Sequence, residues 1–252
     1  MMTLQNKTVL ITGASGGIGH ATAIAFVTAG ATVALHYGQR QETAQQIRDA
    51  LPGSGHVLVQ ADLTDAIAVE QMVNEAIAQL GHIDVLVNNA GVYQEHPLDQ
   101  VSYQEWQTVW QQTLGVNLVG AANITYCVAC HMIERRSGRI INVSSRGAFR
   151  GEPNATAYGA SKAGLNALSQ SLAQHLAPHN IGVMTVAPGF VETDMAREVL
   201  ESPAGDSVRQ QSPLNRVAKP EEVAHTVLFL AADESLFLTG GIVDVNGASY
   251  LR

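Results

Sequence analysis

Charged and aromatic residues are both scarce in this chain. Charged side chains make up 14% and aromatics 5% of its 252 residues, against 46% hydrophobic. A disordered segment needs the opposite balance, so the composition describes a well-packed soluble domain with a sizeable core. Basic residues are outnumbered by acidic ones, 14 to 22, for a formal net charge of −8. Nucleic acid demands a basic footprint, so it is excluded as a partner. No uninterrupted apolar run reaches bilayer-spanning length, and Met1–Gly13 lacks the length and flanks of a signal peptide. The expected location is cytoplasmic, with no membrane partner. Cysteine is nearly absent too, and its two copies stand as Cys127-Val-Ala-Cys130-His131. That spacing matches a haem-attachment pattern, which would require export, and a zinc site would require further ligands. The segment reads instead as the middle of an apolar helix, where cysteines are small buried hydrophobes, so no metal is expected. Linkers, repeats and low-complexity stretches are also missing, which leaves one domain spanning 1–252.

What the chain does have is a regular alternation of short β-branched runs with helical stretches. Lys7–Thr12, Ala31–Tyr37, His56–Asp62, Ile83–Val87, Arg139–Ser145, Ile181–Ala187 and Ile242–Asn246 read as strands. The stretches between them, among them Gln41–Leu51, Ala66–Leu80, Ala121–Glu134 and a helix starting at Pro220, read as helices. This order predicts βαβ units and an α/β fold, a doubly wound parallel sheet of Rossmann type with helices on both faces. After the first strand comes Gly13-Ala-Ser15-Gly16-Gly17-Ile18-Gly19 and then a helix. Such a turn lets backbone approach a pyrophosphate at a helix N-terminus. At the end of the second strand, where an NAD site would carry an acid, stand Tyr37-Gly-Gln39-Arg40. An arginine there pairs with a 2′-phosphate, so NADP(H) is favoured over NAD(H), unless Arg40 is only a solvated residue opening the next helix.

Tyr158 and Lys162 stand at i and i+4 and would share one helix face. A neighbouring ammonium stabilises a phenolate and moves its pKa towards working pH, which suits a general acid/base, although the same pair occurs as plain amphipathic spacing. Ser145, at a strand end, offers a hydroxyl beside that phenol. Asn117 interrupts the apolar run Leu114–Gly120; its amide either binds a main-chain carbonyl and bends the helix or holds a water near Lys162. Asp62 either accepts from an adenine amino group or caps the helix near Thr64. Asp194–Ser212 is more polar, interrupted by Pro203 and Gly205, and reads as a movable lid within about 190–215.

Taken in order, Thr12–Gly19, Asp62, Asn88-Asn89-Ala90-Gly91, Asn117, Ser145, Tyr158-x-x-x-Lys162 and Pro188-Gly189…Thr193 resemble the short-chain dehydrogenase/reductase family over essentially the whole chain. The runs Ala187–Met195 and Pro213–Ala224 look most like its 3-oxoacyl-[acyl-carrier-protein] reductase branch. The resemblance implies a tetrad of Asn117, Ser145, Tyr158 and Lys162 that reduces a ketone to an alcohol. It also implies cofactor contacts from Gly13, Ser15, Gly16, Gly17, Ile18, Gly19, Tyr37, Gln39, Arg40, Asp62, Leu63, Asn89, Ala90, Gly91, Pro188, Gly189, Val191 and Thr193, together with Tyr158 and Lys162. The expected substrate is an acyl thioester, on an acyl carrier protein docked at Arg135 and Arg136 near the site mouth, and the expected assembly is a homotetramer. Arg139, Arg146 and Arg150 would extend those two arginines into one basic patch, unless they merely offset helix dipoles. Reduction of a free alcohol's, sugar's or steroid's carbonyl, or a catalytically silent nucleotide-binding regulator, are the competing readings.

Overall fold

The computed structural model describes residues 3–252. Seven strands, β1 (Thr8–Ile11), β2 (Thr32–Tyr37), β3 (Val57–Gln60), β4 (Val85–Asn88), β5 (Gly138–Val143), β6 (Ile181–Pro188) and β7 (Ile242–Val245), form one sheet in the order β3-β2-β1-β4-β5-β6-β7. Every neighbouring pair is parallel. The connecting helices are α1 (Gly17–Thr28), α2 (Gln41–Ala50), α3 (Ala66–Leu80), α4 (Tyr103–Leu114), α5 (Ala121–Arg135), α6 (Gly147–Arg150), α7 (Thr156–Leu176), α8 (Asp194–Glu201), α9 (Gly205–Gln210) and α10 (Pro220–Ala231).

Strand side chains alternate between faces, so each strand supplies two cores. Val9, Ile11, Val33, Leu35, Val85 and Val87 pack with Phe26 of α1, Ile47 of α2 and Val223 and Val227 of α10. Their neighbours Leu10, Ala34, Leu86 and Ile140 pack on the opposite face with Met72 of α3, Ile124, Val128 and Met132 of α5, and Leu176 of α7. Strand order reverses between β1 and β4, and in open α/β sheets the crevice at that reversal, beyond the carboxyl ends, is where ligands bind.

Local chemistry sets the helix starts. The Asp65 carboxylate accepts from the N–H groups of Ile67 and Ala68 at 2.9 and 3.2 Å and so caps α3. The capping role considered for Asp62 therefore falls to Asp65; Asp62 closes a tighter turn on the Thr64 N–H and hydroxyl, at 2.9 and 2.8 Å. Ser102 and Glu105 form a capping box on α4. Between α4 and α5 the residues Gly115–Gly120 make a π-turn rather than a break. The combined run Tyr103–Arg135 is long and apolar enough to cross a bilayer by length and composition alone, although polar residues such as Gln111 and Gln112 interrupt it. Ile124, Val128 and Met132 on it are fully buried in the protein's own core.

Two expectations are corrected by the way α5 sits. Ile124, Val128 and Met132 take the inward stripe, so Cys127 is only half-buried, packed against the edge of that core, and Cys130 is exposed. The arginines do not form one patch. Arg135 bonds Ile83 O and Asp84, just before β4, and Arg136 ends α5 in a left-handed conformation, donating to Pro178 O. Arg139 is buried at the same amino end of the sheet, whereas Arg146 and Arg150 follow β5 at its carboxyl end. A six-residue strand separates the two groups by roughly 20 Å, so Arg135 and Arg136 lie away from the mouth of their own chain's site.

Asp84 organises that amino end. Its Oδ2 accepts from Thr8 N at 2.9 Å, and Arg135 and His82 each pair with it at 3.0 Å. Burial works against its charge, but the Thr8 N–H, the Arg135 guanidinium and His82 outweigh it and hold the carboxyl below the usual range. A depressed carboxyl stabilises the fold above its unfolded pKa and loses that contribution as pH falls through the folded one. Asp84→Asn should therefore cost about 1–3 kcal/mol at neutral pH, with the gap to wild type closing below about pH 4. Urea melts of both proteins across pH measure this directly.

Candidate active site

The glycine turn is tied down from three strands. Thr12 Oγ1 accepts from the N–H groups of Asn89 and Ala90, both at 3.0 Å, and Asn89 Nδ2 donates back to Thr12 O at 2.9 Å. A Cβ on Gly19 would stand 2.3 Å from Gly13 O and 2.6 Å from Asn89 Nδ2, so only hydrogen fits there. The Gly13 N–H donates to His36 Nδ1 at 3.1 Å, which leaves Nε2 to donate to Ala61 O, also at 3.1 Å. Burial lowers the His36 pKa against the pull of the Ala61 carbonyl, so the neutral ring pins the turn to β2 and β3. No motif in the sequence announced His36.

Helix α1 begins at this turn with no side-chain cap and no acid in its first turn. Its first N–H groups and its partial positive charge are therefore available to an anion. Around them opens a cavity of about 1280 Å³. Its walls include Gly13, Ser15, Gly16, Gly17 and Ile18, then Gln39, Arg40, Asp62 and Leu63, then Asn89, Ala90 and Gly91, and on the far side Pro188, Gly189, Val191 and Thr193. A glycine cradle, an uncapped helix start and a long crevice fit a dinucleotide. Two anticipated contacts do not line it. Gly19 lies beneath the turn, and Tyr37 alternates away from the cavity while His36 and Gly38 face it. Arg40 spreads its guanidinium over Gly16, 3.4 Å from where a Cβ would stand, and approaches Asp194 at 3.8 Å.

At the other end of the same cavity stand Ser145, Tyr158 and Lys162. Parallel pairing of β5 with β4 and β6 carries the chain past Val143 to Ser144 and Ser145, and α7 then returns Tyr158 and Lys162 across the strand ends. Lys162 is buried and donates to Val143 O at 2.8 Å, with its Nζ 5.8 Å from the Tyr158 ring centre. Desolvation lowers its pKa to about 8. The expected lowering of the phenol's pKa is not found: burial pushes Tyr158 up, Ser145 draws it partly back, and the Glu152 carboxylate pushes it up again. Asn117 takes the main-chain role, and it does so from within the π-turn. It accepts from Val92 N at 2.8 Å and donates to Val92 O at 3.0 Å and to Ser161 at 3.1 Å, which joins the loop after β4 to α7.

The stretch 194–210 folds as α8 and α9 around a small cluster of its own, Ala196, Leu200 and Val208, packed against Phe190 and Val217. The partners of other residues at the site are remote in sequence. Asn88 donates to Thr125 and to Asn142, and Asn142 to Ser169, each at 2.8 Å, making a buried ladder from β4 through β5 to α7. Tyr93 meets Tyr158 edge-on with ring centres 5.2 Å apart. His96 is buried and accepts at Nε2 from Ala157 N at 3.3 Å and Thr156 Oγ1 at 3.1 Å, while Nδ1 donates to Gln94 O. It thus caps α7, whose own N-cap Ala155 has no side chain to do so.

This fold and site define a nicotinamide-dependent oxidoreductase acting on CH–OH/C=O groups. Residues 7–204 match the short chain dehydrogenase family, and the chain belongs to it. It is 40% identical over 248 residues to a protein of Thermotoga maritima named 3-oxoacyl-[acyl-carrier-protein] reductase FabG, covering 98% of each chain. A Synechocystis protein named 3-oxoacyl-[acyl-carrier-protein] reductase is 36% identical, again over 98% of both. Among solved structures, gox2181 superposes with a TM-score of 0.92 at 31% identity, covering 98% of this chain and 97% of that one. A Brucella melitensis short-chain dehydrogenase/reductase described as glucose/ribitol dehydrogenase superposes with a TM-score of 0.90 at 31% identity, covering 100% and 99%.

His96→Ala should lower unfolding stability by about 1 kcal/mol through loss of the α7 cap, with His96→Asn recovering part of it. Urea titration of the three proteins measures this, and an unchanged midpoint for His96→Ala would remove His96 from the capping role.

Proposed function

We propose that the protein reduces 3-oxoacyl thioesters, carried on an acyl carrier protein, to 3-hydroxyacyl thioesters with NADPH, in fatty-acid or polyketide-type synthesis. One observation carries the reading: Ser145, Tyr158 and Lys162 converge at one end of a crevice whose other end is a glycine cradle. The full-length similarity to proteins named for 3-oxoacyl-carrier-protein reduction supports the substrate class. Arg40, exposed beside Gly16 with only a long contact to Asp194, supports selection of a 2′-phosphate.

When bound in the crevice, the nicotinamide supplies hydride to the ketone carbon. Tyr158 gives its phenolic proton to the alkoxide oxygen as that oxygen gains charge, and the Ser145 hydroxyl donates to the same atom. Burial keeps the phenol protonated until an acceptor needs the proton. Lys162, fixed by Val143 O, sets a positive charge beside the phenolate left behind. Asn117 holds Val92 against α7 and so keeps the wall facing Lys162 in place. Helices α8 and α9 act as the lid that excludes water, with Asp194 reaching Arg40 across the cofactor end.

Oxidation of NADPH and NADH, each with the N-acetylcysteamine thioester of 3-oxobutanoate, tests the reading. NADPH should be strongly preferred, and Arg40→Ala should lower kcat/KM for NADPH by about 10- to 100-fold with little effect on NADH. Faster turnover with NADH would overturn the cofactor assignment. Tyr158→Phe should lower kcat by about 10²- to 10⁴-fold. Lys162 is charged below its pKa of about 8, so kcat/KM for reduction should decline as pH rises through that value. A profile flat to pH ~10 would contradict the role given to Lys162.

A further inference from the structure

Glu152 is a half-buried carboxylate in the wall of the catalytic cavity that receives no hydrogen bond among the described residues. Just after α6, its Oε1 folds back to 2.7 Å from where a Cβ of Gly147 would stand, so the bare glycine makes room for it. Its one charged contact, Arg150 Nε at 3.8 Å, is beyond hydrogen-bonding distance, and Arg150 donates instead to Gln211 at 3.3 Å. Arg146 is likewise engaged by Gln211 and by the face of Phe190. Burial pushes the Glu152 pKa up, Arg150 and Arg146 pull it down, and Glu95 pushes it up. The carboxylate's field reaches both Tyr158 and the Tyr93 ring packed edge-on against it.

The Glu152 side chain keeps a fifth of its surface exposed towards the crevice. A ligand that fills the crevice displaces the water there, and a charged acceptor then left without a donor is costly. A purely structural prop over Gly147 would be served by an uncharged side chain of the same size. A ligand that brings its own donor relieves the cost. We propose that Glu152 is a specificity-determining residue that accepts a hydrogen bond from a hydroxyl or amide N–H carried by the substrate near the carbonyl reduced at Tyr158. The inference rests on the reading of Tyr158 as the proton donor and refines the substrate class: a carbonyl compound bearing a nearby donor, whether on its chain or on its thioester arm.

Matched substrates test it. S-ethyl 3-oxobutanethioate carries no donor, its 4-hydroxy derivative adds a hydroxyl, and the N-acetylcysteamine thioester adds an amide N–H. The pair 2-butanone and 1-hydroxy-2-butanone repeats the hydroxyl comparison without a thioester. In the wild type, kcat/KM should favour a donor-bearing member by about 10- to 100-fold, mainly through KM. Glu152→Ala should bring that ratio to about one, whereas Glu152→Gln, which still accepts and still fills the space over Gly147, should keep much of it. Whichever pair shows the ratio identifies the donor as hydroxyl or amide. A wild-type ratio near one in every pair, or a ratio that survives Glu152→Ala, would overturn the proposal. Turnover of the ketone pair alone, with a ratio that depends on Glu152, would sink the thioester reading and leave this one standing. If nothing is turned over, calorimetric binding of the same pairs gives the ratio, and its dependence on Glu152 supports or overturns the proposal in the same way.

Discussion

Parallel pairing at the centre of the sheet is the constraint on which the site depends. Because β1, β4, β5 and β6 all run the same way, their carboxyl ends deliver the glycine turn, Asn89–Gly91, Ser145 and Pro188–Gly189 to one edge. The reversal of strand order between β1 and β4 keeps helices from covering that edge and leaves the crevice open. Both faces of the sheet are packed, so the strands cannot slide without moving whole layers of buried side chains. The side chains that line the crevice inherit their positions from this rigidity.

Polar groups buried behind the crevice convert the scaffold into a positioned site. The Asn88–Asn142–Ser169 ladder fixes β4 and β5 to α7, Asn117 fixes the loop after β4 to the same helix, and His96 caps its start. Each of these partners would be costly to leave unpaired in a low-dielectric interior, so the network favours one arrangement of α7. Lys162 is held by Val143 O within this frame, and its desolvation leaves it with a pKa near the working range. The same burial acts on the phenol in the opposite direction and holds its proton in place.

Charge placement separates the two ends of the molecule. At the amino end of the sheet, Asp84, Arg135 and Arg139 are consumed in structural contacts. At the carboxyl end, Arg40 and Glu152 stand in the cavity wall with no strong partner among the described residues. Unspent charge thus lies where ligands bind, one group beside the phosphate cradle and one beside the phenol.

Periodicity and local chemistry in the sequence determined the alternation of strands and helices, α3 to the residue, the glycine turn, and the pairing of Tyr158 with Lys162 on one face. These follow from contacts within a few residues, where backbone geometry leaves little choice. Only the tertiary structure decided the remainder. It gave the α3 cap to Asp65, turned Tyr37 away and His36 inward, and divided the arginines between opposite ends of the sheet. It raised the Tyr158 pKa, since burial outweighs the neighbours at that position. It also brought Glu152 and His96 to α7. Hydrogen bonding, burial and field depend on distance in space, and partners 61 residues apart, such as His96 and Ala157, leave no trace in local sequence.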